Sequence, residues 1–88
     1  MKEYLKAGAV VLAIAGREKN EVFLIAKDEG EYAYLVNGTS RPIENPKKKN
    51  KKHLHLLCKS EKTQLNMSEL NNAQVNNFLN NYDKSRVK

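Results

Sequence analysis

Hydrophobic residues in the first two thirds of the chain come in short runs separated by polar turns. The runs lie at residues 9–15, 22–26, 31–36 and 53–57, with Gly16–Asn20 between the first two. β-Branched and aromatic residues dominate them, and short apolar runs of this kind between turn residues are typical of β-strands. Asn20 suits the first turn because asparagine adopts a positive φ more readily than most residues. The pattern therefore predicts strands at these four positions.

A further strand is predicted after the Asn37-Gly38 pair. This dipeptide is a strong hairpin signal and predicts that the third strand reverses into a short fourth strand around residues 40–43. Pro42 and Pro46 confine that strand to an edge or a bulge, because proline has no N–H to donate to a neighbouring strand. Five short strands at close spacing favour a small all-β barrel.

The pattern changes to helical spacing from Ser68 onward. Either Ser68, or Asn66 with Glu69 three residues later, can cap the start of this helix. One stripe of the predicted helix is apolar and consists of Leu70, Ala73, Val75, Phe78, Leu79 and Tyr82. The opposite face is rich in asparagine, a poor helix former, so the helix has to pack against the barrel or a partner, and we expect the barrel. The predicted organisation is one domain with a barrel at 1–57, a linker at 58–67 and a helix at 68–82.

Charge is distributed unevenly along the 88 residues. The formal net charge of +6 divides into −1 for residues 1–40, +5 for residues 41–55 and +2 for residues 56–88. Most of the positive charge therefore lies in one segment, which proline residues punctuate and the last predicted strand follows. A concentrated basic segment of this kind indicates a polyanionic partner.

Composition also limits the class of protein. The length allows one small domain, and the single cysteine, Cys58, excludes an internal disulfide and fits a reducing compartment. The apolar run Ala9–Ala15 is too short to span a membrane, which takes about 18 residues or more. We expect a cytoplasmic monomer without a membrane segment.

The basic segment supplies the candidate binding residues. Lysine side chains can neutralise phosphates, and arginine can grip a phosphate with two hydrogen bonds or stack on a base. The alternative is a solvated loop that confers only solubility. The predicted RNA-binding residues are Arg17, Lys19, Arg41, Lys47, Lys48, Lys49, Lys51, Lys52, His53 and His55.

Other chemistry is weaker in this sequence. His53 and His55 are two apart in a predicted strand and would share a face, but no third ligand stands at a recognised metal spacing. Tyr32 and Tyr34 also share a strand face, where they could stack bases or pack in the barrel, and packing is the favoured interpretation. Cys58 has no catalytic partners and is interpreted as a structural thiol. We find no catalytic constellation, and we expect no enzyme activity, no cofactor and no metal.

Two segments carry a family resemblance. Ala15-Gly-Arg-Glu-Lys-Asn-Glu-Val-Phe-Leu-Ile25 resembles a KOW motif, which is a strand, a glycine-containing loop and a second hydrophobic strand. The stretch from Tyr34 to Leu54, with its Asn-Gly pair and Pro-Lys-Lys-Lys block, is similar to small bacterial KOW-motif RNA-binding proteins. Those proteins are grouped with a branch of large-subunit ribosomal proteins. This chain has Asn20 at a family glycine position and Glu21 where a basic residue is frequent.

The resemblance covers about residues 4–56 and implies a translation-type SH3-like barrel that binds structured RNA, with ribosomal RNA as the target and ribosomal proteins as further partners. The first hypothesis is accordingly a non-enzymatic RNA-binding protein associated with the ribosome. The second is a protein-interaction adaptor that docks a protein partner through the barrel and the apolar stripe of the helix.

Overall fold

The computed structural model describes residues 5–63 and 65–82, apart from the side chain of Lys62. The first four residues of the predicted barrel unit and position 64 of the predicted linker lie outside the described residues. The chain is mainly β, with a five-stranded antiparallel sheet and a C-terminal helix. The strands are β1 (Val10–Ala13), β2 (Val22–Glu29), β3 (Tyr32–Val36), β4 (Lys47–Asn50) and β5 (Leu54–Cys58), and their order in the sheet is β4-β3-β2-β1-β5.

Strand β1 is buried on both faces, which explains its continuous apolar run. One face of the sheet carries a core that includes Val11, Phe23 and Leu35, all fully buried. The opposite face contributes Val10 and Leu24 to a second core. Because successive side chains of a strand point to opposite faces, a strand between two cores has no position at which a polar residue could face water.

Turns and bulges bend the sheet at positions that the sequence marks. Asn20 closes the β1–β2 loop with φ of 74°, as predicted for this position, and its N–H donates to the carbonyl of Ala13 at 2.7 Å. The β2–β3 pairing shifts register between Ile25 and Lys27, and the β1–β5 pairing shifts between Val10 and Val11. Bulges of this kind bend a strand and increase its local twist.

The prediction of a fourth strand around residues 40–43 is wrong. Residues 37–41 form a compact turn in which the Asn37 side-chain oxygen accepts hydrogen bonds from the backbone N–H groups of Thr39 and Arg41, both at 2.9 Å. The backbone N–H of Asn37 donates to the carbonyl of Arg41 at 2.8 Å. The chain in this turn is bonded to itself instead of to β3, and the fourth strand forms later, at Lys47–Asn50.

The connection from β4 to β5 is a 3-10 helix at Lys51–His53, capped by the side chain of Asn50. The backbone N–H of Lys51 donates to the carbonyl of Glu31 at 2.9 Å, and the N–H of Ile14 donates to the carbonyl of His53 at 2.9 Å. The lysine segment is therefore a strand followed by a helical turn, and it lies between the β2–β3 turn and the end of β1.

The C-terminal region contains more structure than one helix. Helix α1 (Ser60–Thr63) and a 3-10 helix (Met67–Glu69) lie in the stretch that includes the predicted linker, and helix α2 spans Asn72–Leu79. Helix α2 starts later than predicted because Asn71 caps it, with a reciprocal hydrogen bond from the Asn71 backbone to Gln74. Asn66 does act as a cap, but for the 3-10 helix. Among the described residues, no helix is both long and apolar enough to cross a membrane.

Helix α2 packs on the second core of the sheet. Val75 is fully buried and Leu79 is 7% exposed, while Leu70, Phe78 and Tyr82 are partly buried beside them. The asparagine-rich face contributes specific contacts as well. The side chain of Asn72 accepts from the N–H of Ile43 at 2.8 Å and donates to Glu44 at 3.0 Å.

Gly38 allows the turn at 37–41 to approach α2 closely. Its φ is 81°, and a Cβ atom at this position would overlap the Asn72 carbonyl oxygen and lie 2.9 Å from the Asn76 nitrogen. The Asn37-Gly38 pair therefore serves helix docking in addition to chain reversal.

Candidate nucleic-acid interface

Three cations from the predicted binding set converge on one carboxylate, that of Glu18 in the β1–β2 loop. Lys49 Nζ lies 3.3 Å from Glu18 Oε1, while Arg41 Nη2 and Lys47 Nζ lie 3.8 and 4.0 Å from Oε2. We call these four residues the Glu18 cluster. The cluster joins the β1–β2 loop, the β3–β4 connection and the edge strand β4, which are remote in sequence.

Exposure divides the three cations into two roles. The Lys49 side chain is 11% exposed and Glu18 is 14% exposed, so this hydrogen-bonded pair is largely removed from water. Arg41 and Lys47 are 31% and 37% exposed, and their contacts with Glu18 are longer than a hydrogen bond. Glu18 therefore orients the N–H donors of Arg41 and Lys47 without forming hydrogen bonds with them, so these donors remain able to bond to another acceptor.

The charge of Glu18 is maintained by its neighbours. Burial of the carboxyl group opposes ionisation, but the hydrogen bond from Lys49, a backbone hydrogen bond and the charges of Lys47 and Lys49 together lower the pKa of Glu18 below 4.5. The carboxylate is ionised at neutral pH, and three cations around it leave the cluster with a formal charge of +2.

Arg17 and Lys19 flank Glu18 in the same loop and are exposed. With these two residues the formal charge of the region rises to +4, from five cations and one carboxylate. The hydrogen bond between Ile14 and His53 also brings the 3-10 turn, with the exposed Lys52, beside the start of this loop. The fold thus brings the loop residues together with β4, as the RNA-binding hypothesis requires.

Two lysines of the predicted set lie elsewhere. Lys51 is 8% exposed and pairs with Asp28 of β2, so its side chain ties the 3-10 turn to the sheet. Lys48 faces away from the Glu18 cluster, because side chains alternate along a strand, and it lies 4.9 Å from the ring centroid of Tyr32. The lysine run is therefore divided between two faces of the sheet.

The histidines do not form the expected strand pair. His53 ends the 3-10 helix, and only His55 lies in β5, opposite Leu12 of β1. His55 is exposed and His53 is partly buried. Within the described residues, no group of three or more His, Cys, Asp or Glu side chains could hold a metal ion.

Sequence reasoning missed Glu18 as the centre of the cluster. Its carboxylate is surrounded in sequence by Arg17 and Lys19, and nothing in that spacing indicates a contact with residues near position 47. The same holds for Asp28, the partner of Lys51. Both contacts depend on the register of β4, which the sequence did not predict.

A groove of about 500 Å³ lies between α2, the 37–41 turn and β2. Amide side chains are prominent in its lining, and its titratable groups are Glu21 and Tyr82. The lining residues are Glu21, Val22, Asn37, Thr39, Asn76, Leu79, Asn80 and Tyr82. Glu21 therefore lies at this groove, beside α2.

The chain matches no protein-family model, and no curated protein is similar to it in sequence.

Proposed function

We propose that this protein is a non-enzymatic RNA-binding protein whose main contact surface is the Glu18 cluster with Arg17 and Lys19. The observation that carries the proposal is the convergence of Arg41 and Lys47 on Glu18. The carboxylate of Glu18 holds their partly exposed charges at a fixed separation. The region remains strongly positive, because it has five cations and one carboxylate. Positions fixed in this way lower the entropy cost of gripping a phosphate backbone.

We also propose that the five-stranded sheet closes into an SH3-like barrel. Two bulges bend it, and the 3-10 turn leads from edge strand β4 to edge strand β5. The contacts of Glu18 with Lys47 and Lys49 join the β1–β2 loop to edge strand β4, across the sheet. A complete set of cross-strand contacts in an experimental structure tests this closure.

The target class follows from the charge and from the resemblance. Phosphate contacts dominate the affinity of basic surfaces for nucleic acids, and exposed arginine and lysine at loops suit backbone and shape recognition of RNA. The KOW-like segment at residues 15–25 forms the loop that holds Glu18, and the Pro-Lys-Lys-Lys block forms β4. We propose ribosomal RNA as the target because of this resemblance.

The alternative, a protein-interaction adaptor, has less surface available. Its docking stripe on α2 would use Val75 and Leu79, and both are buried against the sheet. The partly buried Phe78 and Tyr82 pack on each other edge to face, with ring centroids 5.5 Å apart. The apolar stripe of the helix is therefore used mainly within the chain.

The experiment is a salt titration of binding to an RNA hairpin. Four phosphate contacts, from Arg17, Lys19, Arg41 and Lys47, predict a slope of log K against log salt of about −3 to −4. Arg41→Ala and Lys47→Ala should each reduce the slope by about 1. Absence of RNA binding at low salt would overturn the proposal.

Lys59→Ala is the matched control, because it removes the same charge from an exposed lysine that lies near Glu61 instead of Glu18. It should leave the slope nearly unchanged. Equal effects of Lys47→Ala and Lys59→Ala would show binding by net charge alone and would contradict the proposed surface.

The ribosomal target is tested by rebinding. Protein stripped of nucleic acid in high salt is added to ribosomal particles, and its binding is compared with that to a free hairpin of unrelated sequence.

A further inference from the structure

A second polar surface lies on the outer face of the sheet, next to the area that α2 covers. Along β3, Tyr32, Tyr34 and Val36 point to the same face, and Val36 lies in the core beneath the helix. Beyond the helix the sheet carries two cross-strand rows. These are Lys27–Tyr34–Lys48 and Glu29–Tyr32–Asn50. We call the six residues the tyrosine face.

The two rings are flanked by cations. Lys48 Nζ lies 4.9 Å from the Tyr32 ring centroid, and Lys27 Nζ lies 5.9 Å from the Tyr34 ring centroid. Both distances are within the range of a cation–π interaction. Tyr32 is 41% exposed, which is unusual for a large side chain in this sheet.

Glu29 holds this arrangement together. Its carboxylate lies 3.6 Å from Lys27 Nζ and 3.9 Å from Lys48 Nζ, and it accepts a hydrogen bond of 3.4 Å from the Tyr34 hydroxyl. The lysines are thus positioned beside the rings by a common partner. The face resembles the Glu18 cluster in this respect, but it adds two aromatic surfaces.

We propose that the tyrosine face binds unpaired bases of RNA, so that the protein recognises a duplex with an adjoining single strand. The proposal rests on the proposed RNA-binding function. Tyrosine rings on a sheet can stack bases of any sequence, and neighbouring lysines contact the phosphates between those bases. A cationic peptide would instead be repelled by Lys27 and Lys48, which carry charges of the same sign.

Strand β4 connects the two surfaces. Lys47 and Lys49 belong to the Glu18 cluster, whereas Lys48 belongs to the tyrosine face, and β4 is an edge strand. An RNA strand that passes around this edge can therefore leave a stem held at the Glu18 cluster and continue across the tyrosines.

The test compares a blunt RNA hairpin with the same hairpin carrying a single-stranded 3′ extension of a few nucleotides. The extension should raise the affinity of the unmodified protein about tenfold for each stacked base. The double variant Tyr32→Leu/Tyr34→Leu should lose this gain and keep its affinity for the blunt hairpin. Tyr34→Phe, which keeps the ring and removes the hydroxyl, should retain most of it.

The outcomes separate the two proposals. A double variant that keeps the full gain from the extension overturns the tyrosine face and leaves the Glu18 surface intact. Failure of the unmodified protein to bind either hairpin overturns both. If the double variant does not fold, NMR of the unmodified protein provides the test. The ring proton resonances of Tyr32 and Tyr34 should shift upfield when the extended hairpin binds. Unchanged resonances overturn the proposal.

Discussion

Lys49 Nζ donates a hydrogen bond of 3.3 Å to Glu18 Oε1, and both side chains are largely buried. Lys49 was expected to contact RNA, but in the fold it joins β4 to the β1–β2 loop. We therefore predict that Lys49→Ala lowers the free energy of unfolding by about 1–3 kcal/mol, because it leaves a largely buried carboxylate without its side-chain hydrogen-bond donor. Lys47→Ala, at the exposed side of the same carboxylate, should change it by less than about 0.5 kcal/mol. Urea denaturation measures both.

The two lysines should differ in the opposite sense in RNA binding. Under conditions where both variants are folded, Lys47→Ala should change the salt slope more than Lys49→Ala. A Lys49→Ala variant with unchanged stability and the larger loss of RNA affinity would contradict the assignment of roles. A simultaneous change of Lys47, Lys48 and Lys49 is therefore a poor test of binding, because it weakens the fold as well.

Acid should weaken the fold through Glu18. Its pKa is lowered in the folded state from 4.5, so its contribution to stability is present above about pH 4.5 and is lost as the pH falls through the lower folded pKa. An NMR titration of the Glu18 carboxyl should give a midpoint below 4.5. In Lys49→Ala the midpoint should rise, because the hydrogen bond from Lys49 is among the causes that lower the pKa. A midpoint unaffected by this change would show that Lys49 does not stabilise the carboxylate.

Substitution by alanine should destabilise the protein more at Gly38 than at Gly30. Both have positive φ, 67° and 81°, but a Cβ at Gly30 meets no atom within 4 Å, whereas one at Gly38 overlaps the backbone of α2. Gly30→Ala should therefore cost about 1–2 kcal/mol for the backbone conformation alone. Gly38→Ala should cost clearly more, as measured by thermal or urea unfolding. Equal losses would mean that α2 does not lie against this turn.

Helix docking can be measured with a second pair of variants. Leu79 is 7% exposed and Phe78 only partly buried, so Leu79→Ala should destabilise the protein by about 2–4 kcal/mol, and Phe78→Ala should have the smaller effect despite its larger ring.

Truncation after Thr63 would expose the apolar side chains of Val10, Leu24 and Val36, and it should lower the melting temperature of the sheet. A truncated chain with undiminished stability would refute docking of α2.

The sequence predicted the elements whose hydrophobic pattern is decisive. β1, β2, β3 and β5 lie where apolar runs indicated them, since their side chains fill the two cores. β4 could not be found in this way, because lysine and asparagine have low strand propensity, and pairing with β3 overrides it. The Asn37-Gly38 signal was interpreted as a tight hairpin, whereas the chain closes a local turn there and docks a helix before it returns to the sheet.

The candidate site was predicted as a set of charges but not as a geometry. Arg41 and Lys47 lie together in the fold, and the loop of Arg17 and Lys19 lies beside them. The burial of Lys49 and Lys51 could not be foreseen, because it requires the partners Glu18 and Asp28, which are remote in sequence. The sequence has no basic residue between Tyr32 and Tyr34, and Lys27 and Lys48 come beside the rings only through strand pairing.

The composition of β4 has a consequence for how firmly its alignment is specified. A shift of one residue moves every side chain of a strand to the other face, but along Lys47-Lys48-Lys49 such a shift replaces lysine by lysine. The alignment is instead fixed at the end of the strand. There Asn50 caps the 3-10 turn by accepting a hydrogen bond of 2.9 Å from the Lys52 N–H, while Lys51 donates its backbone N–H to the carbonyl of Glu31 and pairs with Asp28. An unbroken lysine run, as in Asn50→Lys, would remove the residue that distinguishes one alignment from the next. The strand would then exist as a mixture of pairings, in which the same lysine alternates between the carboxylate of Glu18 and the ring of Tyr32.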